Sequence, residues 1–285
     1  MKSIDKITPD TNAKICVQGI AFDENSSYRL GPAKAPPLIR EALICGSTNL
    51  WSESGIDLGV TDILVNAGDL TPAPGMDGFD EIQLTATQIL DTGMKPLFLG
   101  GDHSITYPII KSLSKYHPKL SILQFDAHPD LYDEYDGNKH SHASPFARIM
   151  ENGLADRLVQ VGIRTLNAHQ REQAERFGVE IIEMNDWQSG LELEFSTPLY
   201  ISFDMDCLDP GFAPGVSHWE PGGLSTRQAI DIIQSLSADI VGADIVEFNP
   251  EVETGLTAMV AAKILKEIAG KMIENDIVKA VTLSG

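Results

Sequence analysis

The chain of 285 residues is poor in cysteine, in basic side chains and in long apolar runs. Its three cysteines, Cys16, Cys45 and Cys207, are an odd number without metal-site spacing. That excludes a disulfide framework and a thiolate metal cluster, and reads as reduced thiols in a cytoplasmic protein. No apolar run approaches the ~18 residues of a transmembrane helix. The first residues, MKSIDKITPDTNAK, lack the apolar stretch of a secretory signal, so a cytoplasmic location is the expectation. Lys and Arg total 21 against 41 Asp and Glu, a formal charge of −20. A nucleic-acid binder needs concentrated cationic side chains, so this balance argues against one. It argues equally against docking on an anionic membrane. Acidic excess keeps a surface solvated, and it also makes a field that attracts cations, whether metal ions or a positively charged substrate. Phosphate-loop, dinucleotide-fingerprint and nucleophile-elbow motifs are all absent.

What the chain does have is 42% hydrophobic residues, enough for a sizeable core. Short runs rich in Val, Ile and Leu predict strands at Ile15–Ala21, Ile63–Ala67, Pro96–Leu99, Ser121–Phe125, Leu158–Ile163, Val179–Glu183, Leu199–Phe203 and Ile240–Val246. The runs are continuous rather than alternating, as in parallel strands covered on both faces. Spacings of three and four predict helices at Ala35–Cys45, Asp80–Asp91 and Ile105–Tyr116, one capped by Ser225 or Thr226 and running to Leu236, and a long one over Gly255–Asn275. Strand-then-helix order repeated along the chain predicts a three-layer α/β/α architecture. With no linker, repeat or low-complexity segment, residues 1–285 read as a single domain, with a long loop at Asp209–Gly223.

Ligands of open α/β sheets bind at the carboxyl ends of strands. Four apolar runs end in chemistry: PLFLGG in Asp102-His103, LSILQF in Asp126-Ala127-His128-Pro129-Asp130, PLYISF in Asp204-Met205-Asp206, and DIVGADIV in Glu247. In an extended backbone Asp126, His128 and Asp130 face one side, and so do Asp204 and Asp206. Carboxylates so crowded repel one another unless cations compensate. A lone aspartate at a strand end is usually a cap or turn residue, and a lone histidine a satisfied polar group; this many together are not explained that way. Oxygen-rich donors with a few imidazoles suit Mn²⁺ better than Zn²⁺, and their number exceeds what one tetrahedral ion needs. A two-metal site follows.

These segments carry a resemblance. Gly100-Gly101-Asp102-His103-Ser104, DAHPD at 126–130 and SFDMDCLDP at 202–210 resemble the three signatures of the arginase/agmatinase (ureohydrolase) family. NSSYRLGPAKAPPLIREALICGSTN at 25–49, GNKHSHASPFARIME at 137–151, APGVSHWEPGGLS at 213–225 and GADIVEFNP at 242–250 look like its branch of plant-type arginases and bacterial agmatinases. The resemblance implies one α/β domain with a central, mostly parallel, eight-stranded sheet. It implies two Mn²⁺ per subunit, with His103, Asp126, Asp130 and Asp204 on one, His128, Asp126, Asp204 and Asp206 on the other, and Asp126 and Asp204 bridging. Asp130 would also orient the attacking hydroxide. His142 matches the family's proton-shuttle histidine, with His140 as a local competitor. Glu247 matches the glutamate that receives the guanidinium, which a carboxylate can bind through two parallel N–H bonds. With Glu247 and His142, Asn138 is a candidate substrate contact. Asp102 would support the metal ligands from behind, and His218 and Trp219 either line the substrate entrance or pack their loop. Trimers or hexamers are the implied assembly.

The expected reaction is hydrolysis of a small cationic guanidino compound to urea and an amine. The acidic residues Asp133, Glu134 and Asp136 after the DAHPD segment would repel a substrate carboxylate, which leans toward agmatine. Arginine is the alternative, followed by a guanidino acid such as 4-guanidinobutyrate. A one-metal zinc deacetylase would need fewer carboxylates than Asp206 and its neighbours supply, and a non-catalytic relative would have no need of every ligand.

Overall fold

The computed structural model describes residues 1–3, 13–60, 63–253 and 255–284. In chain order its strands are β1 (Lys2–Ser3), β2 (Ile15–Ile20), β3 (Leu64–Leu70), β4 (Lys95–Leu99), β5 (Ser121–Phe125), β6 (Arg157–Ile163), β7 (Glu180–Glu183), β8 (Leu199–Asp204) and β9 (Ile240–Val246). The helices are α1 (Ala35–Ile44), α2 (Met76–Asp91), α3 (Thr106–Tyr116), α4 (Pro145–Glu151), α5 (Ala168–Phe177), α6 (Thr226–Ser235) and α7 (Leu256–Ser284). All strands join one sheet in the order β1-β3-β2-β4-β9-β8-β5-β6-β7, and every pairing is parallel.

The continuous apolar runs have the expected cause. Along β2, Ile15 and Val17 enter the core on one face while Cys16 and Ile20 enter the other; along β8, Ile201 and Phe203 oppose Tyr200. Successive side chains point to opposite faces, and here both faces are dry. One core lies under α1, α6 and α7, through Ile39, Ile230 and Ile264. The other lies under α2, α3, α4 and α5, through Phe79, Ile109, Phe146 and Ala174. The result is the three-layer single α/β domain that the sequence predicts.

The eight expected strands are present, and "mostly parallel" becomes wholly parallel. The addition is β1, two polar residues paired to Val65 and Asn66 on the sheet edge, where tertiary pairing acts without an apolar run. Helix α2 begins at Met76, ahead of the apolar spacing, and α7 continues past Asn275 to Ser284. Helix α5 reads AHQREQAERF, with too few apolar residues to announce itself; it is set instead by its Asn167 cap and by Gly178 at φ 65°. Among the described residues no helix is long and apolar enough to cross a membrane. Residues 4–12, most of the stretch read for a secretory signal, lie outside the described residues.

Candidate active site

The strand order brings β4, β9, β8 and β5 side by side. Their carboxyl ends deliver His103, Glu247, Asp204 and Asp126 to one place. Gly101 permits the close fit there: a Cβ on it would lie 1.8 Å from the Phe22 carbonyl oxygen. Asp102 caps the single 3₁₀ turn His103–Ile105 by accepting from the Ser104 N–H at 3.0 Å, and its other oxygen accepts from the Asn25 N–H at 2.9 Å. It therefore ties the loop at residue 25 to the turn that carries the histidine. Burial and the nearby Glu247 charge push the Asp102 carboxyl up to about 7.

His103 Nδ1 lies 3.1 Å from Asp126 Oδ2, 3.0 Å from Asp130 Oδ2 and 3.2 Å from Asp204 Oδ2. Its tautomer follows from the other ring nitrogen. Ser202 Oγ donates its hydrogen to Asp244 Oδ1 at 2.7 Å, so it accepts from His103 Nε2 at 2.9 Å. Nδ1 is then the ring atom that faces three carboxylate oxygens, and it is fully buried without a hydrogen-bond partner. A cation fits among these atoms. The second half of the cluster is equally close: His128 Nδ1 stands 3.0 Å from Asp206 Oδ2 and 3.6 Å from Asp126 Oδ1. Two donor groups capable of holding an ion result, His103–Asp126–Asp130 and Asp126–His128–Asp206, sharing Asp126. The donors fit two divalent cations.

Electrostatics give the same reading. Burial pushes the Asp204 carboxyl well above the usual range, and the Asp206 and Asp126 charges push it further. Burial and Asp126 raise Asp130 to about 6. Burial pulls the His103 and His128 imidazoles down, but the surrounding carboxylates outweigh it and leave both well above their ordinary value. Carboxylates this crowded call for positive charge among them, which metal ions would supply.

The backbone differs from the extended geometry assumed for the motif. Residues 126–130 form bends rather than a strand, and Asp206 lies in a 3₁₀ turn, Met205–Cys207, whose N–H is capped by Asp204 Oδ1 at 2.8 Å. Asp130 and Glu247 have φ of 52° and 63°. Such left-handed conformations cost a non-glycine residue about 1 kcal/mol or more, and they cluster where function demands a direction. Packing imposes them, so no alternation rule finds them.

His142 Nδ1 pairs with Glu247 Oε1 at 2.8 Å, and the same oxygen accepts the His103 N–H at 2.9 Å. The Ser27 N–H donates to His142 Nε2 at 3.1 Å, with the Ser27 hydroxyl at 2.8 Å. Burial draws the His142 imidazole down, but the Glu247 charge outweighs it and sets it at about 9. His140 faces away, stacked on Tyr107 at 5.7 Å, which removes it as a competitor. Asn138 Nδ2 donates to Asn25 Oδ1 at 2.9 Å, and its Oδ1 accepts from the His140 N–H at 2.9 Å; it braces the loop and does not line the cavity. His218 lines the cavity, whereas Trp219 holds its own loop through Nε1 to the Pro214 carbonyl at 2.9 Å.

His128, Asp130, Asp204, Asp206, His142 and Glu247 line the cavity together with Ser27, Tyr132, Tyr135, Ala143, Thr165, Gln170, His218 and Glu220. Apart from His218, sequence reasoning missed this second group, because single polar residues in loops carry no periodic or motif signal. Asp133, Glu134 and Asp136, the basis for expecting agmatine, do not line the cavity. Asp133 is spent on Arg148, whose Nη2 lies 3.1 Å from its Oδ1. Their supposed repulsion of a substrate carboxylate is therefore not built into the cavity wall.

A parallel α/β sheet with two ion-holding donor groups at its carboxyl edge defines a metallohydrolase. The profile of the Arginase family matches residues 13–270, and the chain belongs to that family. It is 49% identical to "Arginase 1, mitochondrial" of Arabidopsis thaliana over 278 residues, covering 91% of this chain and 81% of that protein. The solved arginase from Medicago truncatula superposes with a TM-score of 0.88 at 43% identity, covering 92% of this chain and 88% of that one. The agmatine ureohydrolase of Thermoplasma volcanium superposes with a TM-score of 0.82 at 30% identity, covering 96% of each chain. The protein is a ureohydrolase, a hydrolase of guanidino compounds, in a family of binuclear metal enzymes.

Proposed function

We propose that the protein is a manganese-dependent arginase, which hydrolyses L-arginine to L-ornithine and urea. The observation that carries the choice of substrate is the 49% identity to a plant arginase over 91% of the chain, against 30% to the agmatine ureohydrolase. The exclusion of Asp133, Glu134 and Asp136 from the cavity wall supports it by removing the physical argument for agmatine.

In this reading His103, Asp126, Asp130 and Asp204 hold one cation and His128, Asp126, Asp204 and Asp206 the other. The oxygen-rich donor set favours Mn²⁺. When bound, two divalent cations lower the pKa of a shared water and so make a nucleophile available near neutral pH. The side chains do the rest. Glu247 binds the planar guanidinium through a charge-assisted pair and sets its carbon beside the water site. Asp130 accepts a hydrogen bond from the nucleophile and fixes its direction. As the new C–O bond forms and the C–N bond to the ornithine side chain breaks, His142 gives the departing amine its proton, and urea remains. Glu247 sets the imidazole at about 9, above its ordinary value, which favours the proton that His142 must donate. Assembly into trimers or hexamers and a location in the cytoplasm are the remaining proposals.

The test is urea release from arginine and agmatine side by side in the Mn²⁺-loaded enzyme. The kcat/KM for arginine is expected to exceed that for agmatine by about tenfold or more; faster turnover of agmatine overturns the choice.

A further inference from the structure

The donors on the His128 side come from two irregular pieces of chain. His128 sits in the bend at residues 126–130, and Asp206 in the single turn Met205–Cys207. Strands β5 and β8 pair from Ser121 with Leu199 to Phe125 with Phe203, so their ladder stops before either donor. His128 Nδ1 and Asp206 Oδ2 nonetheless stand 3.0 Å apart. Contacts outside the ladder set that spacing.

Arg164, one residue past β6, supplies them. Its side-chain hydrogen bonds all go to main-chain carbonyls: Nε to Glu220 at 2.7 Å, Nη1 to Gly162 at 3.0 Å and Cys207 at 3.3 Å, and Nη2 to Asp206 at 2.7 Å and Leu208 at 3.4 Å. A guanidinium carries five N–H donors in a rigid plane, and each has an oxygen here. The fork thus grips the Asp206 turn along its length. The main chain of the same residue holds the other bend. The Arg164 N–H donates to the Ala127 carbonyl at 3.0 Å, and Thr165 Oγ1 donates to that oxygen at 3.0 Å. Ala127 lies between Asp126 and His128, and its own N–H donates to Asp206 Oδ1 at 3.1 Å. The circuit is closed: bend to Arg164 main chain, fork to turn, turn back to bend. Its last bond occupies Asp206 Oδ1 and leaves Oδ2 toward His128. Gly162, at φ 99°, lets β6 come this close, since a Cβ on it would lie 2.9 Å from the Asp126 carbonyl oxygen.

Resting on the two-metal reading, we propose that Arg164 is the positioning residue of the cation held by His128 and Asp206. It fixes the distance between two donor turns, so that this half of the centre is formed before an ion arrives. His103 and Asp130 make no hydrogen bond with it among the described residues, so its effect falls on one ion. A positive charge near a cation site opposes binding, so what Arg164 contributes is geometry. Glu220 lines the cavity, and its carbonyl is held by the same fork, which ties the cavity wall to the metal turn.

Arg164→Lys is the test. It keeps the charge and loses the fork, because a lysine ammonium is a point with three donors that cannot span all of these carbonyls. After dialysis the native chain is expected to retain two Mn²⁺ and the lysine variant one, with the affinity for the lost ion lowered by about 10- to 100-fold. Thermal unfolding separates positioning from support of the fold. Support alone would lower Tm equally in the metal-free and the Mn²⁺-loaded protein; positioning shrinks the rise in Tm that Mn²⁺ produces. Glu53→Gln, whose carboxylate binds Arg227 and Lys263 and does not line the cavity, is the control that keeps the full rise. If the lysine variant is not recovered folded, Gly223→Ala takes its place. A Cβ there would lie 2.7 Å from both Arg164 Nη2 and the Cys207 carbonyl oxygen, prising the fork from the turn with Arg164 still present. The same loss of one ion is expected. Two ions retained with an undiminished rise in Tm overturn the assignment, whereas a single ion in the native chain overturns the two-metal reading on which it rests.

Discussion

His128 is the side chain whose removal separates the two halves of the metal centre. It belongs to the donor group that contains Asp206, and His103 to the one that contains Asp130, so two cations held there would have different histidines. Its side chain is 26% exposed on the cavity side, so truncating it opens no void in the core. His128→Asn is expected to leave one Mn²⁺ per chain instead of two and to lower urea release by on the order of 100-fold. Elemental analysis after dialysis, with the urea assay on the same sample, checks both; two retained ions with undiminished turnover would sink the two-metal mechanism. At this scale much of the site is legible in the sequence. Asp126, His128, Asp130, Asp204 and Asp206 announce themselves because a metal needs several donors at short chain spacings. Gln170 and Tyr132 line the cavity but do not announce themselves, because they are single residues that the fold gathers from separate segments. The left-handed backbone at Asp130 and Glu247 is equally invisible, being imposed by neighbours distant in the chain.

The helices read from spacing are those whose burial is one-sided. Helix α6 shows this, with Ile230, Ile232 and Ile233 inward and a capping box from Ser225 and Gln228 fixing its start. Helix α5 escapes because its order comes from caps rather than from an apolar stripe, and β1 because a sheet edge recruits it. What joins elements is harder still to foresee. Glu53, in the segment after α1, lies 2.7 Å from Arg227 of α6 and 2.9 Å from Lys263 of α7. Hydrogen bonds from Arg227 and Lys263 hold the Glu53 carboxyl at about 2, below its ordinary 4.5. A depressed carboxyl stabilises the fold above the unfolded value and loses that contribution as pH falls. The Glu53 contribution is therefore full above about pH 4.5 and fades toward about pH 2. Because these side chains are substantially exposed, its size is about 0.5–1 kcal/mol. Glu53→Gln should lower the unfolding free energy by that amount at neutral pH, with the difference from the native sequence shrinking on acidification. Denaturant titrations across that range measure it, and a difference that grows as pH falls would contradict the network's role.

The charge of −20 belongs to the molecule as a whole. Five carboxylates, Asp126, Asp130, Asp204, Asp206 and Glu247, account for a quarter of it, and two divalent cations return four charges at that point. Most of the excess therefore lies elsewhere. Part of it is near the cavity mouth, where Glu220 lines the wall and Glu134 and Asp136 stand exposed. Acidic residues outside the cavity do not select between substrates by contact. They act at a distance, on any cation that approaches, and a field of this kind raises the encounter rate in proportion to the charge of the incoming molecule. Arginine carries a net single positive charge and agmatine two. Raising ionic strength from about 0.01 M to about 0.15 M shortens the screening length from about 30 Å to about 8 Å, which removes the distant part of the field and spares contacts inside the cavity. The kcat/KM for both compounds should fall over that range, and the fall for agmatine should be the steeper. Measured as slopes of log kcat/KM against the square root of ionic strength, the two lines then diverge at low salt in agmatine's favour. Equal slopes would mean that the mouth senses only groups within contact distance, and flat lines that the acidic surface serves solubility alone.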